Sequence, residues 1–304
     1  MRLPRLEGWR RRAAYAAFFA AVFLLALHFT FPSDAVKERI ILEAAARGWL
    51  VRMSDIGPAG LGGVRARGVT LESRDGARIP IEEFRATLRP WALLLGRRSM
   101  SFDVRLFDGR ATGVVEEGRG LERLQLKGAD IDLGRAAAVR KATGLDLAGV
   151  LRADVDVTLD VKEPNRSTGR LDLTVERAAL KGGEVQVPGM GGNLTLPRVS
   201  LGTVVAKAQV RNGRAEFETL EAKGEDLQAS AEQLYFVLQS RLDYAPLFGK
   251  ARVRVADAFW QKSGTAGLRG VVEAALSSAR GRDGTFGFQI YGTLGRPQAR
   301  PAAP

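Results

Sequence analysis

A mainly β chain is predicted: a single N-terminal transmembrane helix, then a curved antiparallel sheet domain carrying a few short helices. Three observations predict it. The first is an uncharged run of nineteen residues from Ala13 to Phe31, the second a hydrophobic period of two through most of the chain beyond Gly48, and the third a set of Asp-Gly and Asn-Gly dipeptides between strand-like runs. The 35 glycines and 12 prolines follow no short period, so they read as turns and strand edges rather than a fibrous repeat.

The run AAYAAFFAAVFLLALHFTF, with Phe18, Phe19, Leu24 and Leu25 near its middle, has the length needed to cross a bilayer as a helix. Arg10, Arg11 and Arg12 stand directly before it, while Asp34, Lys37, Glu38 and Arg39 after it mix both signs. The excess of positive charge before the span places residues 1–12 in the cytoplasm and everything after Phe31 outside it. A cleaved signal peptide would need small residues of A-x-A type after a shorter core, and Leu27 to Pro32 offers no such site, so an uncleaved anchor is expected. His28 lies within this run, where a neutral imidazole near the outer headgroup level is expected.

After Pro32 a short amphipathic helix is expected, with Ser33 as N-cap, Val36, Ile40, Ile41, Ala44 and Ala45 as its apolar stripe and Gly48 as its end. It either lies on the bilayer or caps the end of a sheet, and the narrow stripe favours capping. Beyond it, Asp75-Gly76, Asp108-Gly109 and Asn212-Gly213 mark hairpin turns. Leu151, Ala153, Val155, Val157, Leu159 and Val161 alternate with Arg152, Asp154, Asp156, Thr158 and Asp160, which predicts one dry and one wet strand face. The same alternation recurs at 171–176, at 252–255 and through Phe286, Phe288 and Ile290. Helices are expected at Trp91 to Leu95, Gly134 to Thr143 and Ala266 to Ala279. A soft boundary at Gly118 and Gly120 divides a strand–helix segment, 32–117, from a β-rich segment, 118–296, and residues 297–304 are expected to form a disordered, Pro-rich tail.

The formal charge is +12, of which the leader carries +4 (five arginines against Glu7), leaving +8 over the rest. The remaining basic residues are scattered rather than clustered, which argues for a basic surface and against a nucleic-acid partner. There is no cysteine, which excludes disulfides, thiolate metal sites and thiol nucleophiles, and the single histidine is in the apolar run. Asp130, Asp132, Asp154, Asp156 and Asp160 could be gathered around Ca²⁺, but a period-two row of Asp is also what a solvated strand face looks like, and no EF-hand spacing accompanies it. Gly60–Gly63 and Gly189–Gly192 lack the spacing of nucleotide-binding loops. No cofactor, metal or catalytic residue is therefore assigned, and no enzymatic activity is expected.

The segments FPSDAVKERI, LKGADIDLGRAAAVRKATGLDLAGVLRADVDVTLDV, STGRLDLTVERAAL, GGNLTLPRVSLGTVVAKAQVRNGRAEFETLEAKGEDLQASAE and DGTFGFQIYGTLGRPQARP resemble the type II secretion system protein N family of proteobacteria. That resemblance implies an inner-membrane protein with a periplasmic β domain, acting as an accessory part of the machine that exports folded proteins, with other secretion subunits as partners. The chain also resembles AsmA-like proteins, which implies a sheet with an apolar groove suited to phospholipid or lipopolysaccharide tails. The stretch LYFVLQSRLDYAPLFG is more aromatic than its surroundings, and Tyr235, Phe236, Tyr244 and Phe248 are its candidate contacts for a partner or a lipid.

Overall fold

A computed structural model describes Tyr15, Phe18, Phe19 and residues 32–303, apart from 47, 61, 74–75, 95, 119, 137–145, 161, 187–192, 240, 263–264 and 266. Most of the expected transmembrane run lies outside the described residues. Tyr15, Phe18 and Phe19 are helical with their rings exposed, and among the described residues no helix is long and apolar enough to cross a membrane.

The first element, α1 (Ser33–Ala46), starts one residue earlier than a Ser33 cap would set it. The Pro32 carbonyl accepts the first helical hydrogen bond, from Val36 N–H at 3.0 Å. Proline at this place loses nothing, because a helix's first amides have no internal partner. At the other end Gly48 takes a left-handed φ of 86° and donates to the Ala45 carbonyl, so the chain reverses there. The strands β1 (Trp49–Arg52) and β2 (Asp55–Pro58) run back beneath the helix, and both pair with β3 (Gly63–Ser73). Val36, Ile40, Ile41 and Ala44 pack on a buried cluster of Val51, Met53, Ile56, Ala66, Val69 and Ile81. The helix therefore caps this end of the sheet.

A meander follows: β4 (Arg78–Leu88), the short helix α2 (Pro90–Leu94), β5 (Arg98–Leu106), β6 (Gly109–Gly118), β7 (Leu121–Asp132), β8 (Leu147–Asp160) and β9 (Thr168–Leu180). A separate hairpin of β10 (Gly183–Gln186) and β11 (Asn193–Leu196) is inserted before β12 (Val199–Arg211), which pairs back with β9. The meander resumes through β13 (Arg214–Lys223), β14 (Leu227–Val237) and β15 (Leu247–Val255). The helices α3 (Asp257–Trp260) and α4 (Leu268–Ala275) then lead to β16 (Phe286–Thr293) and β17 (Arg296–Pro301). Apart from the inserted hairpin these strands make one 15-stranded antiparallel sheet, which runs unbroken across the Gly118 region because β6 and β7 pair there residue by residue.

Three differences from expectation have physical causes. The turn expected at Asp108-Gly109 is made by Phe107 and Asp108, at φ 51° and 61°, with Leu106 opposite Gly109. Phe107 accepts this costly conformation because its ring is buried with Ile131 and Ala136, and Gly109 is needed for a different reason: a Cβ there would lie 2.6 Å from the Ile131 backbone. The dry face of β8 is only half-buried along its whole length, since a strand in the middle of one large sheet keeps both faces partly in contact with solvent. The tail expected to be disordered forms edge strand β17 against β16. Ala302 N–H points to the Gly287 carbonyl, so by the strand's alternation the nitrogens of Pro297 and Pro301 face the free edge, where no bond is lost.

Around 257–279 helix is present but broken into α3, α4 and a 3₁₀ turn at Ser277–Ala279. Of the expected Gly134–Thr143 helix only a 3₁₀ turn at Leu133–Arg135 is seen, and its remainder lies outside the described residues. Where apolar residues slip phase, one strand carries an extra residue: Asp130 (φ 55°) between Gly128 and Ile131, Arg177 (φ 52°) between Val175 and Ala178, and Gln233 (φ 51°) between Ala231 and Leu234. Each bulge returns the following apolar side chains to the same face.

Candidate functional site

Cross-strand register sorts the two faces of the sheet. Phe84, Val104, Ala111, Gly128, Ala153 and Leu173 form one row across β4 to β9, and Ala86, Phe102, Gly113, Leu126, Val155 and Leu171 form the next. Both rows are apolar. At the N-terminal end this face meets α1, and between helix and sheet lies a cavity of about 640 Å³. Val36, Ile40 and Ala44 line it from the helix, Val51, Met53, Val69 and Ile81 from the first strands, and Phe84, Ala86, Leu88 and Met100 from β4 and β5. The inner end is buried, whereas Leu88 at the other end is exposed. Among the described residues Glu43 is the one ionisable group in the lining, 3.9 Å from Arg39, so the arrangement is equipped to hold hydrocarbon rather than to move protons.

The opposite face is charged, and its shallow hollow of about 680 Å³ is lined by Arg85, Asp103, Gln125, Lys127, Asp154, Asp156 and Arg170, among others. Its carboxylates are each paired with a basic side chain. Arg123 grips Asp156 through two bonds of 3.1 and 3.0 Å with Gln125 adding a third, Arg110 grips Asp103, and Lys127 lies 3.9 Å from Asp154. The Arg123 bonds, then that of Gln125, hold the Asp156 carboxyl below the usual carboxylate range, and the Arg110 bonds do the same for Asp103. Glu83 is drawn down first by its bond from Arg85, with Arg65 Nε at 2.6 Å and Arg105 at 3.7 Å completing the cluster.

The aspartates weighed for Ca²⁺ are engaged separately. Asp130 lies 3.6 Å from Arg152, Asp132 accepts from Gly134 N–H, and Asp160 accepts from the amides of Lys162 and Glu163. Among the described residues no group of three acidic or histidine ligands converges on one point.

Arg10, Arg11, Arg12, Leu24 and Leu25 lie outside the described residues, and Phe18 and Phe19 are exposed helical residues. The four aromatics expected as one contact surface are not together. Tyr235 and Phe248 stand opposite each other on the charged face, their rings 5.6 Å apart, with the Arg214 guanidinium 3.8 Å above Tyr235. Phe236, the next residue along the strand, is on the apolar face against Val210, Ala215 and Leu238. Tyr244 is exposed in a 3₁₀ turn, with Arg241 4.6 Å from its ring. Strand alternation alone separates Tyr235 from Phe236. Tyr291, which the sequence reading passed over, shares the face of Phe248, since Lys250 pairs with Gln289 and each aromatic lies two residues from that pair.

An apolar groove on the sheet was expected from the AsmA-like resemblance, but not its place under α1, whose apolar stripe shows that the helix packs and not that it stands off the sheet. Compared with known proteins, the chain matches no family model, no curated protein and no solved structure.

Proposed function

We propose that this chain is a membrane-anchored, exported β protein that holds lipid hydrocarbon against the apolar face of its sheet. The observation supporting this is the 640 Å³ apolar cavity under α1, the helix that follows the uncharged run 13–31 in sequence. An acyl chain loses about 0.8 kcal/mol per methylene on entering water, so a chain of about sixteen carbons loses about 13 kcal/mol. A hydrocarbon-lined cavity removes most of that penalty, which makes exchange between bilayer and protein close to neutral in free energy. Binding is the activity such a lining supports.

The experiment is native mass spectrometry of the full-length chain released from nanodiscs of phosphatidylethanolamine and phosphatidylglycerol. Retained phospholipid is the expected result, and a lipid-free chain under conditions that preserve its fold refutes the proposal. The topology is tested separately by a reporter joined after Pro304, with activity expected outside the cytoplasm.

A second reading, an accessory role in type II secretion, takes its motive from the family resemblance and its support from the exposed aromatics on the charged face, Phe248 and Tyr291. Exposed aromatic rings beside arginines are the side chains that dominate protein contacts. A photoreactive phenylalanine analogue at position 248 is expected to crosslink a secretion-machine subunit in cells. Recovery of none, with exoprotein secretion unchanged after deletion of the chain, sinks this reading.

A further inference from the structure

The geometry points to a cavity under α1 that takes one acyl chain at a time, inserted tail-first from the end marked by Leu88 and Met100. This rests on the lipid-holding reading above and adds to it the stoichiometry, the entry point and the orientation of the occupant.

Capacity is set by volume. A methylene occupies about as much space as a water molecule's share of the liquid, about 30 Å³. The 640 Å³ cavity therefore holds about twenty methylenes. One chain of about sixteen carbons fits with room to spare, whereas the two tails of a diacyl lipid, at about thirty or more, do not. Length agrees with volume. Ile81, buried at the inner end, and Leu88, exposed at the outer end, are separated along one strand by about 23 Å at the usual rise. An acyl chain spans half of a hydrocarbon core of about 30 Å, or about 15 Å.

The direction of entry follows from chain topology. The chain turns back at Gly48, so β1 and β2 run opposite to α1, and β2 ends where Pro58 pairs with Val64, beside Gly62. Gly63 stands opposite Thr87 and Leu88 opposite Met100. The helix's N-terminus at Ser33 consequently lies over the same end of the sheet as Gly62, Leu88 and Met100, while its C-terminus lies over the end near Trp49 and Ser73. Ser33 is two residues from the uncharged run. The open end of the cavity therefore faces the membrane that supplies the chain.

The test uses the full-length chain in nanodiscs of phosphatidylethanolamine and phosphatidylglycerol, doped with a lysophosphatidylethanolamine that carries a photoactivatable diazirine midway along its single tail. Labelled peptides are mapped by mass spectrometry. Labelling is expected on segments 36–53 and 64–88, saturating at one tail per chain. Ala86→Trp, which places an indole inside the cavity, is expected to reduce labelling about tenfold, by exclusion of volume. Leu88→Gln changes an exposed rim residue that the fold does not need, and is expected to slow labelling several-fold with the urea midpoint unchanged.

Saturation at two tails per chain overturns the inference. So does labelling confined to β8–β12, or a crosslink showing that residues 13–31 of the chain itself fill the cavity. Those results leave lipid contact standing, whereas absence of label anywhere on the protein removes the lipid-holding reading as well.

Discussion

Replacing Asp226 by alanine removes a side chain that ties three segments together. Asp226 is 3% exposed in the turn between β13 and β14, and its carboxylate accepts from Ser200 N–H at 2.6 Å and from Lys262 Nζ at 2.5 Å. The first partner is in β12 and the second lies just beyond α3. Burial alone would raise the carboxyl's pKa, but the bonds from Lys262 and Ser200 outweigh it, and the net shift is downward. A hydrogen bond to a charged acceptor contributes about 1.5–3 kcal/mol, and leaving an inward amide without a partner costs about 1–3 kcal/mol. The Lys262 arm is 41% exposed, so screening holds it to about 1 kcal/mol or less. Asp226→Ala should therefore cost about 3 kcal/mol by orphaning the Ser200 amide, and Lys262→Met about 1–3 kcal/mol by leaving the buried carboxylate with the Ser200 N–H as its remaining donor. Urea unfolding of the full-length chain in mild detergent, followed by far-ultraviolet circular dichroism, measures both. The reasoning fails if either Asp226→Ala or Lys262→Met lies within about 0.5 kcal/mol of the parent.

Gly202 has φ 64°, and a Cβ there would stand 2.0 Å from the Lys223 carbonyl oxygen, so Gly202→Ala should lower stability by about 2–4 kcal/mol. Gly270, inside α4 with open space around it, should gain up to about 1 kcal/mol as alanine; equal effects at the two sites in thermal unfolding would contradict this account. Acid should weaken the fold late. The carboxyls of Glu83, Asp103, Asp156, Asp226 and Asp283 are held below their ordinary values of 4.5 and 3.8, so between the folded and unfolded pKa values the unfolded chain binds more protons and stability rises with pH. Urea midpoints should agree at about pH 7 and pH 5 and fall only as pH drops below about 4; a loss already complete at pH 5 would refute it. Restoring outward N–H groups at the free edge, with Pro297→Val and Pro301→Val together, should increase self-association in sedimentation velocity while leaving the unfolding midpoint nearly unchanged.

Much of the architecture was legible in the residues themselves. The alternation at 151–161 assigned each side chain to a face, Asn212-Gly213 placed a hairpin where φ values of 51° and 70° occur, and Gly48 ended α1. These are local matters: a strand's side-chain phase, a left-handed turn and a helix stop each depend on a few adjacent residues. Even the bulge at Gln233 is visible as the slip from Leu227, Ala229, Ala231 to Leu234, Phe236. Other features depended on residues distant in sequence. Phe107 occupies a left-handed turn because Ile131 and Ala136 bury its ring, and the prolines of the tail fit a strand because their nitrogens happen to face away from β16. The cavity is the clearest case, since the apolar residues of α1 and of β1–β5 would read the same whether helix and sheet met closely or stood apart. Polarity along the chain determines which side chains leave water, but the spacing between packed elements is set by the bulk and register of groups tens of residues apart, and only the tertiary structure decides it.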